Sequence, residues 1–162
     1  MPNTVSREDL LNDIRAALTG GANPESAMEA ALGKILAAFQ CPVGTVHILD
    51  AASGMLLLRA KRGIPDMILD KVKAIPVGKG MAGIAAERRQ PVQVCNLQTD
   101  ASGVAKPGAK DTKMEGSITV PMFVNDVLRG TLGVAKPVPY EFDEAECGIL
   151  MDAGALIASL TK

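Results

Sequence analysis

Strong helical periodicity is confined to the two ends of this chain, and that confinement restricts its fold more than any other feature. Near the start, Ser6 and Asp9 open a pattern that carries Leu10, Leu11, Ile14 and Leu18 on one stripe and stops at Gly20-Gly21. Asn23 as N-cap and Pro24 at the first helical position then announce a helix over 24–39, with Met28, Leu32, Ile35, Leu36 and Phe39 at helical spacing. At the far end Asp143 and Glu146 form a capping box, with Phe142 as a hydrophobic staple. Ile149, Ala153, Leu156, Ile157 and Leu160 follow as an apolar stripe.

The interior reads differently. Runs at 41–50 and 55–61 flank a turn at 51–54, and runs at 116–124 and 127–135 flank Asn125-Asp126, which is hairpin patterning twice over. Between them lie a short helical piece at 65–73, a helix at about 80–89, a strand at 92–97 and a polar loop at 98–115. Helices outside and hairpins inside predict an α+β fold on a largely antiparallel sheet of about six strands. Val46, Ile48, Ile118, Val120, Met122, Leu132 and Val134 alternate onto one face, which helices would cover. Thr45, His47, Ser117, Thr119, Gly133 and Ala135 fall on the other. Small and polar side chains do not fill space, so that face floors a cavity or lies beneath a collapsed roof.

A chain of 162 residues sustains one domain with its own core and would crowd two. No run approaches the ~20 apolar residues of a membrane span, and the polar N-terminus lacks a signal-peptide pattern. A soluble, cytoplasmic protein with no membrane partner is the expectation. Cys41, Cys95 and Cys147 lie far apart and leave one thiol over in any bridging scheme, which fits reduced cysteines; Cys95 reads as a small buried hydrophobe. The sole histidine, His47, has no partner at zinc-ligand spacing and no indicated nucleophile, so neither a metal, nor another cofactor, nor histidine-assisted catalysis is called for. Residues 59–113 hold eleven Lys or Arg against five acids although the net charge is −1, so the middle of the chain can attract anions. An aromatic content of 2% removes the stacking platform that single-stranded nucleic acid requires.

Gly78-Lys79-Gly80-Met81-Ala82-Gly83 fits the dinucleotide pattern GxGxxG, but only Ala74-Ile75-Pro76-Val77 precedes it, where that fingerprint needs a buried strand. The glycines read instead as a turn into the helix at 80–89. The segment from Ile75 to Ala85 also begins a longer series: Gln90-Pro91-Val92-Gln93-Val94, Ser117-Ile118-Thr119-Val120-Pro121-Met122, Gly130-Thr131-Leu132-Gly133-Val134, and the ending Phe142-Asp143-Glu144 before a long helix. In order and spacing this series resembles the GAF domain family over about residues 23–161.

The resemblance implies terminal helices on one face of the sheet and a ligand pocket, roofed by the middle segments, on the other. It divides the chain into an N-terminal dimerisation helix at 1–22 and a GAF domain at 23–162. It also implies what is missing. The free methionine-R-sulfoxide reductases of this family carry a cysteine where this chain has Ala82, a second in the loop where 98–115 has none, and acidic residues where Ser117, Gly133 and Ala135 stand. Bilin carriers attach pigment at a cysteine beside a histidine, and no cysteine adjoins His47. The cyclic-nucleotide signature is echoed by Phe142-Asp143-Glu144, which the capping box explains without a ligand.

The reading is therefore a non-catalytic sensory or regulatory domain that pairs with itself through its terminal helices, with Leu150, Gly154 and Ala158 as a second row against the copy. A small anionic metabolite would be held by Thr45, His47, Gly80, Met81, Ala82, Gly83, Arg88, Ser117, Thr119, Gly133 and Ala135. The basic roof implied for it comprises Lys79, Arg88, Arg89, Lys106, Lys110 and Lys113. Two alternatives stand beside it: a dimerisation module with a closed pocket, and a reductase-like enzyme without its usual cysteines.

Overall fold

A computed structural model describes residues 6–20, 23–99 and 113–160. In these residues the helices are α1 (Arg7–Gly20), α2 (Pro24–Phe39), α3 (Asp66–Val72), α4 (Gly80–Arg88) and α5 (Glu144–Leu160). The strands are β1 (Val43–Asp50), β2 (Met55–Arg62), β3 (Ala74–Pro76), β4 (Val92–Val94), β5 (Gly116–Val124) and β6 (Val127–Lys136). The strands form one antiparallel sheet in the order β3-β2-β1-β6-β5-β4.

The helix boundaries follow from local chemistry. Asn23 accepts a hydrogen bond from the Ser26 backbone N–H at 2.8 Å, and α2 closes where Gln40 turns left-handed and the Cys41 N–H bonds Leu36 O at 2.9 Å. At α5 the capping box is reciprocal: the Glu146 N–H donates to Asp143 Oδ1 at 2.8 Å and the Asp143 N–H to Glu146 Oε1 at 3.0 Å. Phe142 is buried beside it as the staple.

The helices α1, α2 and α5 cover one face of the sheet. The main core joins Leu10 and Ile14 of α1, Met28, Leu32 and Ile35 of α2, and Ala153 and Ile157 of α5 to the aliphatic strand face. All of Val46, Ile118, Val120, Met122, Leu132 and Val134 are buried in it, with Ile48 packed at its margin. Each fully buried Leu, Ile or Met contributes about 1.5–3 kcal/mol, so this face carries most of the stability.

Three expectations are corrected. In α5 the row Leu150, Gly154 and Ala158 is buried within the chain, whereas Leu160 is 43% exposed. The apolar arc of α5 is rotated toward the small residues because the sheet comes closest where they stand. The strand expected at 92–97 ends at Val94, after which the Leu97 N–H still bonds Glu115 O at 2.7 Å. Cys95, just past that end, is exposed instead of buried.

Candidate functional site

The face opposite the main core is covered in part by α3 and α4. Leu56, Ile75, Ala82 and Ala86 form a small cluster there, joined by Leu49, Val72 and Leu128. Beyond it the sheet presents the expected small and polar residues. Thr45, Gly133 and Thr119 are register partners across β1, β6 and β5. Ala135 and Ser117 pair in the next row on one side, His47 and Thr131 on the other.

A Cβ on Gly133 would lie 3.2 Å from both the Thr119 and Thr45 hydroxyl oxygens, closer than ordinary contact, so glycine lets the two hydroxyls approach each other across β6. Gly133 and Thr45 are half-buried, while Thr119, Ser117 and Ala135 are buried. The Ser117 hydroxyl lies 3.5 Å from Val134 O, a contact at the outer limit of a hydrogen bond.

His47 is 2% exposed, and its Nε2 lies 2.8 Å from the carbonyl oxygen of Val72, the last residue of α3. A carbonyl only accepts, so the proton sits on Nε2 and the bond satisfies one of the carbonyls a helix end leaves open. Burial pushes the imidazole below its ordinary value of 6.5, with the Val72 bond acting in the opposite sense. Nδ1 is then a lone-pair acceptor. Among the described residues, His47 Nδ1 and Thr131 Oγ1 are the buried side-chain polar atoms without a hydrogen-bond partner. Thr131, 1% exposed, is absent from the sequence-derived set. Its position two residues before Gly133, on the same face of β6, was the available signal.

The glycine-rich segment is local architecture. Gly78 and Gly80 have φ of 96° and 68°, a region that favours glycine, and a Cβ on Gly83 would run into the Pro76 carbonyl oxygen. The preceding β3 is a three-residue edge strand paired with β2, unlike the central strand of a dinucleotide fold. Ala82 points into the small cluster and Gly83 packs on backbone, so from these two residues the face receives backbone at most. Met81 is half-exposed, and Lys79, the N-cap of α4, gives no side-chain cap to the first N–H groups.

The basic roof is only partly assembled. Lys79, Arg88 and Lys113 are exposed. Arg89 is committed elsewhere: its Nη2 donates to Asp126 O at 2.6 Å and its guanidinium sits 4.7 Å from the Phe123 ring centroid, which ties α4 to the β5–β6 turn. Lys106 and Lys110 lie outside the described residues. None of the cysteines is on the strand face just described. Cys41 belongs to the main core, where burial pushes its thiol up to about 11, Cys147 is on α5, and Cys95 follows β4. Among the described residues no group of His, Cys, Asp or Glu side chains is placed to hold a metal ion, and no helix is long and apolar enough to cross a membrane.

A family model described as "GAF domain" matches residues 21–160. No curated protein matches the chain by sequence. Among solved structures, the chain is similar to the GAF domain from a phosphoenolpyruvate-protein phosphotransferase of Coxiella burnetii, at 19% identity, a TM-score of 0.80 and coverage of 94% of this chain and 90% of that one. It is also similar to the free methionine-R-sulfoxide reductase of Neisseria meningitidis in complex with its substrate, at 17% identity, a TM-score of 0.75 and coverage of 95% and 87%. A third likeness, at 19% identity and a TM-score of 0.76, is to the reduced form of the corresponding Staphylococcus aureus protein, covering 99% and 97%. At such identities the likeness is one of fold.

Proposed function

This chain belongs to the GAF domain family, and from that premise we propose that it is a non-catalytic sensory or regulatory domain that binds a small, anionic metabolite on the face of its sheet opposite the main core. The observation that carries the reading is the run of small and polar side chains on that face, where the Thr45 and Thr119 hydroxyls flank Gly133 and the buried His47 Nδ1 and Thr131 Oγ1 lack partners among the described residues. The uncapped N-terminus of α4, with Lys79 beside it, adds donors and positive potential on the same side. Arg88 is the remaining arginine of this segment free for an anion, since Arg89 is engaged.

A reductase-like reading has little support. Ala82 and the three cysteine positions leave no thiol on this face, and thiolate is what such redox chemistry needs. The domain is proposed to pair with a second copy through the outward strip of α5, where Gly148 has open space around it, together with the neighbouring part of α1. Light scattering should report a dimer that Gly148→Glu dissociates.

The ligand reading is tested by mass spectrometry of freshly purified, denatured protein and by thermal shift against carboxylate and phosphate metabolites. A released metabolite, or an anion that stabilises the parent but not Gly133→Ala, is expected. If no anion stabilises the parent and Gly133→Ala raises its melting temperature, the closed-pocket dimerisation module replaces this reading.

A further inference from the structure

We infer that the ligand of this face presents a hydrogen-bond donor, a hydroxyl or an ammonium group, to His47 Nδ1 and Thr131 Oγ1. The inference rests on the ligand-binding reading above and narrows it to short hydroxy- or aminocarboxylates.

The argument begins with the tautomer. Val72 O can only accept, so the 2.8 Å contact fixes the imidazole proton on Nε2 and leaves Nδ1 with a bare lone pair. Directly across the strand pair stands Thr131, whose hydroxyl also lacks a partner. Both residues are at least nine-tenths buried, and buried polar atoms are almost always satisfied by protein, water or ligand. The Val72 bond accounts for Nε2 of His47 but leaves Nδ1 and the Thr131 hydroxyl unmet.

The two unmet atoms have different requirements. Nδ1 accepts only, whereas a threonine hydroxyl donates or accepts by rotating. A ligand hydroxyl can donate to Nδ1 and accept from Thr131, and an ammonium can donate to both. A bare carboxylate or phosphate oxygen brings a lone pair against a lone pair, unless the ring takes a second proton, which its burial opposes. The negative end of an anionic ligand therefore belongs elsewhere on the face. The Thr45 and Thr119 hydroxyls beside Gly133, two residues along the strands on the same face, can donate to it.

Because His47 is the only histidine, nitrogen NMR of the full chain labelled at histidine reads one ring. The probes are lactate, alanine and propionate, which share a carbon skeleton and differ in carrying a hydroxyl, an ammonium or neither. The ligand-free ring should show the Nε2–H tautomer. Lactate or alanine should move the Nδ1 signal and propionate should not. Thr131→Val, close to isosteric, should weaken the responding probe about tenfold while leaving the tautomer unchanged.

An Nδ1–H tautomer overturns the inference, as does equal binding of propionate. So does an Nδ1 signal that stays in place while lactate or alanine binds, the behaviour of a ring that holds only buried water. If the wider panel stabilises the chain solely through donor-free anions, this inference falls and the ligand-binding reading stands. If no metabolite is released on denaturation and nothing in the panel stabilises the parent, both fall.

Discussion

Gly154 of α5 rests on Met122 of β5, so closely that a Cβ on residue 154 would lie 2.8 Å from Met122 Cγ. That contact explains why the row Leu150, Gly154 and Ala158 faces the sheet and not a second copy. It also gives a stability prediction. Gly154→Val should lower stability by about 1–3 kcal/mol through overpacking, more than its small gain in helix propensity returns. Urea unfolding with an unchanged slope and a lower midpoint is the expected result. A neutral outcome would mean that α5 can lift away from the sheet.

Lys136 joins three elements. Its ammonium donates to Phe39 O at the end of α2 and lies 4.6 Å from the centroid of Tyr140, whose hydroxyl bonds the Glu146 carboxylate of α5 at 2.8 Å. A cation at a helix C-terminus and over a ring is favourable on both counts. Lys136→Met keeps the apolar stem and should cost about 1–2 kcal/mol in the same unfolding assay. An unchanged midpoint would reduce this network to a surface contact.

The cysteines should react unequally. Cys95 is exposed, Cys41 is buried with its thiol pushed up to about 11, and burial also raises Cys147. Because the thiolate is the nucleophile, a chromogenic thiol reagent at neutral pH should titrate one fast group in the native chain, absent in Cys95→Ser, and three after denaturation. A fast phase that survives Cys95→Ser would mean that the core around Cys41 opens readily.

The sequence made the fold legible where local chemistry is strong. Caps at Asn23 and Asp143 and strict alternation in β1, β5 and β6 leave little freedom in those elements. It was less informative for α5, where apolar residues occur on several sides of the helix and only the sheet decides which arc turns inward. The floor residues of the candidate site followed from alternation, with Thr131 the omission. What alternation does not carry is contact across distant chain: that α3 would bring Val72 O to His47, or that Arg89 would be drawn to Asp126 and Phe123, depends on how α3 and α4 dock. Cys95 was misread because Val92 to Leu97 looks continuous, whereas pairing with β5 ends at Val94↔Ser117.

Acid should weaken the fold through His47. Folding holds its imidazole neutral, below the ordinary 6.5, by burial. As pH falls beneath that value the unfolded chain takes up a proton that the folded chain refuses, so stability is full above it and declines below, by at most about 1.4 kcal/mol per pH unit until the folded ring also titrates. Asp50 and Asp70, held low by Ser53 and Lys73, act only beneath their ordinary 3.8 and leave this window clear. His47→Gln can keep an N–H toward Val72 O without titrating. Urea midpoints for parent and variant between about pH 7.5 and 5.5 should fall for the parent and stay nearly level for the variant. Parallel profiles, or a parent more stable at the acid end, would show that the ring is not held neutral and would remove the basis for Nδ1 as an acceptor.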